Sequence, residues 1–222
     1  MLKAAKSKWF ESLFAVYNTN LLRRRFHSFR FRGLEHLADP RPPEFPLIIY
    51  ANHTSWWDGL AAFQISRAAG LDAFVMMEER HLRRFFLFRK LGAFSVVRED
   101  PRSAYRSLEY GAGLLKEEPA RSLWLFPQGE IVPAASRPLC IYPGIAKLVE
   151  LAGDCRVLPL VFSYKFEGEF EPSIYARAGV PQAVGAEAIP SVGEFEERMV
   201  VLLDELEGDI VAKDLGGYEE LI

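Results

Sequence analysis

The chain reads as an α/β domain, a central and largely parallel sheet flanked by helices, behind an N-terminal amphipathic helical arm. Three observations carry that reading. From residue 47 to residue 163, short β-prone runs alternate with segments of helical periodicity, the pattern of successive βαβ units. Half of the 222 residues are hydrophobic, enough for one sizeable core. The first 32 residues hold eight Lys or Arg against Glu11 alone, a net of +7 that leaves −10 for the rest of a chain whose overall charge is −3. Such asymmetry is expected of a basic arm that meets an anionic surface, membrane or nucleic acid.

In chain order, Trp9, Phe10, Leu13, Phe14, Tyr17, Leu21 and Leu22 recur at three- and four-residue spacing and predict an amphipathic helix over 8–26. Its aromatic face and the following Arg23-Arg24-Arg25 fit an interfacial helix, with rings in the acyl boundary and arginines on anionic headgroups. Glu11, Asn18 and Asn20 interrupt the apolar run, so neither a spanning helix nor a signal peptide is expected. The sequence Asp-Pro-Arg-Pro-Pro-Glu-Phe-Pro at 39–46 resists helix and forms a linker. The expected division is therefore a membrane-associating arm, 1–38, and an α/β domain, 39–222.

Within that domain the pattern predicts strands at 47–51, 73–77, 93–97, 122–126 and 156–163. It predicts helices at 56–69, 79–90, 102–116, 144–152 and 192–210. Residues 164–190 give only extended pieces and turns around Gly168, Pro172, Gly179 and Pro181. Cys140 and Cys155 lack the CxxC or ligand-like spacing of a redox or zinc site and read as free thiols of a reducing compartment.

The stretch Ala51-Asn52-His53-Thr54-Ser55-Trp56-Trp57-Asp58-Gly59 follows the first strand and places a histidine five residues before a carboxylate. Positions five apart on a straight helix lie about 140° apart around it, so the chain must bend if the two are to meet. Ser55, three residues before Asp58, looks like a capping box; His53 would then leave the strand end while Asp58 sits in the first helical turn. A loop histidine and a helix-capping aspartate also occur together with no chemistry between them. In an open parallel sheet, however, loops at the carboxyl ends of strands gather in one crevice. Here three such loops are polar: 52–58, Arg98-Glu99-Asp100, and Pro127-Gln128-Gly129-Glu130.

At this point the sequence resembles the glycerolipid acyltransferases typified by lysophosphatidate acyltransferase. Asn52-His53 through Asp58 looks like that family's block of Asn-His, four residues and Asp. Gly92-Ala93-Phe94-Ser95-Val96-Val97-Arg98 is similar to Gly-x-Phe-x-x-x-Arg. Phe126-Pro127-Gln128-Gly129-Glu130 is similar to Phe-Pro-Glu-Gly-Thr/Ser, and Val157-Leu158-Pro159-Leu160-Val161 to a proline-containing hydrophobic strand. The resemblance implies transfer of an acyl group from a thioester, acyl-CoA or acyl carrier protein, to a hydroxyl of a lipid acceptor.

The residues fit that chemistry on their own terms. An alcohol needs a base near neutral pKa, and histidine is the usual one. His53 is the expected general base and Asp58 the residue that fixes its tautomer, the substrate hydroxyl standing where a catalytic serine would. Backbone amides near Gly129 are the expected oxyanion donors. No metal or redox cofactor is expected. Arg98 follows a buried strand and needs an anion: either Glu99 or Asp100 supplies it, or, as the resemblance favours, an acceptor phosphate does. Asn52, Gln128, Gly129 and Glu130 complete the expected substrate-binding set. Trp56 and Trp57 either line the acyl path or fill core.

Three departures bear on the acceptor. Gln128 and Glu130 stand where the family commonly has Glu and Thr or Ser, and Pro143 precedes Gly144 where a Lys is common. A cation lost at 143 and a carboxylate added at 130 argue against copying a phosphate-bearing acceptor, with Arg137 as the candidate compensating cation. The leading expectation is a peripheral O-acyltransferase on the cytoplasmic side of a membrane, acting on a lysophospholipid such as 1-acylglycerol-3-phosphate. A non-phosphorylated lipid or glycolipid alcohol is the alternative acceptor. A non-catalytic lipid-binding protein is the alternative class, against which the paired His53 and Asp58 speak; a Gly-x-Ser-x-Gly hydrolase elbow is absent. The base-and-aromatic stretch 80–90 reads as an interfacial helix entering lipid, and no nucleic-acid partner is expected.

Overall fold

Residues Leu47–Ala51 are all buried, and their alternation sends Ile48 and Tyr50 into one apolar layer and Leu47, Ile49 and Ala51 into the other. A strand apolar on both faces belongs in the middle of a sheet covered on both sides. In a computed structural model describing residues 1–37, 44–185 and 188–222, that is where it lies. Most of the linker read at 39–46, and the boundary drawn at 38/39, fall outside the described residues.

Helix α1 (Lys8–Arg23) leads into strand β1 (Phe29–Arg32) and one helical turn, α2 (Leu34–Leu37). Then follow β2 (Leu47–Ala51), α3 (Asp58–Ala68), β3 (Asp72–Glu78), α4 (Glu79–Arg84), a 3-10 segment over Phe86–Leu91 and β4 (Ala93–Val96). Next come α5 (Pro101–Glu117), β5 (Arg121–Leu125), α6 (Gly144–Ala152) and β6 (Cys155–Lys165). The described chain ends with β7 (Ser173–Ala178), β8 (Gln182–Val184), α7 (Val192–Ala212) and β9 (Glu219–Glu220).

The sheet order is β4-β3-β5-β2-β6-β7-β1-β9, with β8 beside β6. Strands β4, β3, β5, β2 and β6 are mutually parallel, so the loops after β2, β4 and β5 open at the same end. Strand β7 turns back antiparallel to β6, and β1 runs parallel to β7. One apolar layer packs α5, α6 and α7 on the sheet; the other packs α1 and α3, with Trp124 and Phe162.

Three elements differ from the sequence reading. Phe29-Arg30-Phe31-Arg32, read as the end of the basic arm, is a sheet strand: the phenylalanines are buried and the arginines half-buried. The helix read over 79–90 stops at Arg84, where Phe85 leaves helical geometry, and continues as 3-10 until Gly92 ends it. Gly92 has φ +96, and a Cβ there would lie 2.7 Å from the carbonyl of Ala73, so a larger residue would clash. Residues 164–190, read only as extended pieces and turns, contribute β7, β8 and the end of β6.

Helix α1 carries apolar residues on two faces. Phe14 meets Phe63 of α3 at 5.1 Å and Phe88 at 6.0 Å, ring centre to ring centre, and Leu22 is buried. Trp9, Leu13, Val16 and Tyr17 form an outer stripe more than half exposed. Phe86 and Leu87, in the adjoining 3-10 segment, are exposed as well. Part of the arm's charge is neutralised within the fold, since Lys6 pairs with Asp72 and Arg32 with Asp209. Arg23, Arg24 and Arg25 are exposed. No helix among the described residues is long and apolar enough to cross a membrane.

Candidate active site

Strand β2 ends because Asn52 substitutes for the ladder. Its buried side-chain amide donates to the Phe162 carbonyl at 3.0 Å and accepts from the Phe162 N–H at 2.7 Å, one step beyond the last backbone pair, Ala51 with Leu160. The backbone of His53 is thereby released from the sheet and taken up by the loop after β5. Its N–H donates to Gln128 Oε1 at 2.7 Å and its carbonyl accepts from Val132 N at 2.8 Å. Gln128 is itself buried and donates onward to the Leu139 carbonyl. A carboxylate at 128 could take the first of these bonds but not give the second, which accounts for glutamine at this position.

The bend between His53 and Asp58 brings His53 Nδ1 within 2.8 Å of Asp58 Oδ2. The capping box is half made: Asp58 Oδ2 accepts from the Ser55 N–H at 2.8 Å, but the Ser55 hydroxyl serves Trp57 N rather than Asp58 N. Oδ2 also accepts from Thr54 N at 2.7 Å, and Oδ1 accepts from the Tyr164 hydroxyl at 2.6 Å. Asp58 is fully buried, and a carboxylate out of water needs such a set of donors. Burial, then the Asp58 charge beside it, hold the Tyr164 hydroxyl well above the usual tyrosine range, so it stays a donor. Since a carboxylate only accepts, Nδ1 carries the proton of this bond, and in the neutral ring that leaves Nε2 with the lone pair. The imidazole leans on Phe126, 4.7 Å between ring centres.

A cavity of about 980 Å³ opens beside His53. Its lining runs from His53, Arg98, Gly129 and Glu130 past apolar Phe14, Phe63, Val75 and Met77 to Lys6 and Asp72, at the other end of β3. A seven-residue strand spans roughly 20 Å at 3.3 Å per residue. Of the two tryptophans, Trp56 lines this cavity while Trp57 packs into the core against Phe26.

Arg98 has no carboxylate partner among the described residues. Asp100 instead caps α5 through the Arg102 and Ser103 amides. The Arg98 guanidinium lies 5.7 Å from the centre of the Tyr142 ring, and its Nε is buried without an acceptor. Gly129, at φ +70, makes room for it: a Cβ there would come within 2.7 Å of the guanidinium. The Gly129 amide donates to the Phe126 carbonyl at 2.9 Å and closes the turn, so of the backbone amides near Gly129 expected as oxyanion donors it is itself committed.

Glu130 is exposed at the cavity. Arg137 lies outside the cavity lining and donates to Asp204 of α7 at 3.1 Å, away from the position of a compensating cation. The structure thus brings His53, Arg98, Gly129 and Glu130 together around one space, with Asp58 buried behind His53. Asn52 and Gln128 have their amides committed to backbone and act as supports. Tyr164, outside the sequence reading, completes the arrangement; the only signal for it was the alternation of β6 continuing past residue 163. Among the described residues no group of three or more His, Cys, Asp or Glu is disposed to hold a metal ion.

A protein-family model described as Acyltransferase matches residues 28–163, from the start of β1 to within β6. No curated protein gave a match. Among solved structures, the crystal structure of the 1-acyl-sn-glycerophosphate (LPA) acyltransferase PlsC from Thermotoga maritima is similar, with a TM-score of 0.61 and 18% sequence identity. The likeness covers 90% of this chain and 80% of that one, and at this identity it is a likeness of fold.

Proposed function

Because the chain belongs to the acyltransferase family, we propose that it transfers a fatty acyl group from acyl-CoA or an acyl carrier protein to a hydroxyl of a lysophospholipid-type acceptor at a membrane surface. The observation that carries this reading is the pair of His53 and a buried Asp58 beside a largely apolar cavity long enough for an extended chain.

In the reaction, His53 Nε2 takes the acceptor's hydroxyl proton as the oxygen attacks the thioester carbon. Asp58 stabilises the imidazolium that forms. The carbon–sulfur bond then breaks, the departing thiolate takes the proton from the imidazolium, and the products are an ester and a free thiol. No step calls on a metal or redox cofactor. The acyl chain occupies the cavity along β3, and Arg98 meets an anionic headgroup. A second reading, a non-phosphorylated lipid or glycolipid alcohol, is favoured by Glu130 at the cavity and by the engagement of Arg137 with Asp204.

The deciding experiment incubates the protein with labelled acyl-CoA and labelled acyl carrier protein against a panel of lysophospholipids and neutral lipid alcohols, with products read by mass spectrometry. An acylated lysophospholipid is expected. Acylation confined to neutral alcohols selects the second reading, and no ester from any acceptor overturns the assignment.

Attachment to the cytoplasmic face of a membrane is supported by the outer stripe of α1 and the exposed Arg23, Arg24 and Arg25. Deleting residues 1–32 would remove β1 from the sheet, so substitution tests this better. Trp9→Ser, Leu13→Ser and Val16→Ser together should weaken co-sedimentation with anionic vesicles at least tenfold, each lost side chain being worth about 1.5–3 kcal/mol if fully buried in lipid. Undiminished co-sedimentation rejects the interfacial helix.

A further inference from the structure

Asp58 has two oxygens in different circumstances. Oδ2 is held by three N–H donors, from His53 Nδ1 and the backbone of Thr54 and Ser55. Oδ1 accepts from the Tyr164 hydroxyl on β6. The backbone donors fix where Oδ2 sits but leave the carboxylate free to pivot about it. The Tyr164 bond at Oδ1 removes that freedom and draws part of the negative charge away from the histidine.

We propose that Tyr164 is a positioning residue for the acyl-transfer base: through Asp58 Oδ1 it orients the carboxylate and moderates its pull on His53. The proposal rests on the acyltransferase reading for its consequence in turnover, though not for its consequence in structure. Tyr164 is placed for the role by the extension of β6 beyond the end of β2, and its ring is 5.9 Å from that of Phe26, which in turn meets Trp57. The hydroxyl gives up no proton in the cycle. Without it, charge concentrates on Oδ2, the bond from His53 Nδ1–H tightens, and the imidazolium is held too firmly to return its proton to the leaving thiolate.

Tyr164→Phe keeps the ring and its packing while removing the donor that Oδ1 has among the described residues. The variant should lower kcat about tenfold, the worth of one hydrogen bond to a charged group, with KM for both substrates unchanged. The acidic limb of its pH–rate profile should move to higher pH. The other ionisable groups at this end, Arg98 after β4, Glu130 after β5 and Glu78, Arg80 and His81 at the β3–α4 junction, are the same in both proteins.

A readout independent of turnover accompanies these: the low-field proton resonance of His53 Nδ1–H should move further downfield in Tyr164→Phe. An unshifted resonance overturns the proposal whether or not the protein proves to be an acyltransferase. A shifted resonance in Tyr164→Phe, when the wild-type protein makes no ester, supports the hydrogen-bond arrangement and sinks the acyltransferase reading alone. Unchanged kcat and profile in an active enzyme reduce Tyr164 to packing.

Discussion

Purified His53→Ala should fold like the wild type and turn over at least about a thousandfold more slowly, within the range that a positioned general base supplies. The fold is expected to survive because His53's structural bonds are made by its backbone, to Gln128 and Val132, and these need no ring. The buried carboxylate is not orphaned either: Asp58 keeps the Thr54 and Ser55 amides and the Tyr164 hydroxyl. Loss of stability should therefore stay within about 1–2 kcal/mol, the scale of one hydrogen bond and a partly exposed ring. The measurement pairs circular dichroism and thermal unfolding with a single-turnover acyl-transfer assay. A folded variant with wild-type turnover removes His53 from the mechanism.

The same geometry explains why the His53–Asp58 pairing was readable in the sequence whereas much around it was not. The pair lies five positions apart, and the need for a bend follows from helix geometry alone. The apolar run Leu47-Ile48-Ile49-Tyr50 likewise announces a strand, though its place in the middle of the sheet, covered on both faces, appears only in the structure. Features that depend on register across the sheet were hidden. Tyr164 lies 106 residues from the carboxylate it binds. Asn52 and Gln128 show their supporting roles only once Phe162 and Leu139 are in place. Charge counting misled in two places. It obscured the period-two burial of Phe29 and Phe31 between arginines, and it offered Arg137 as a headgroup cation when α7 presents Asp204 to it. The alternation of a short strand is a weaker signal than a cluster of positive charge, although packing energy follows the former.

Asp58→Asn separates charge from shape. The asparagine amide has one acceptor, and two backbone donors, Thr54 N–H and Ser55 N–H, demand it at the position now held by Oδ2. The opposite orientation would drive the NH2 group against both of them. With its oxygen so fixed, the asparagine still accepts from His53 Nδ1–H, and its NH2 faces a Tyr164 hydroxyl able to rotate and accept. The productive tautomer is therefore retained and only the negative charge opposite the imidazolium is lost. In serine proteases the equivalent change costs about 10⁴ in kcat by stabilising the wrong tautomer. Here the fall should be smaller, about a hundredfold, with KM little altered. It should be accompanied by an Nδ1–H resonance shifted upfield but still present. A fall of about 10⁴ with that resonance gone shows that the amide has turned over despite the two backbone donors. Wild-type turnover in a correctly folded Asp58→Asn protein shows that the charge at 58 has no part in the transfer.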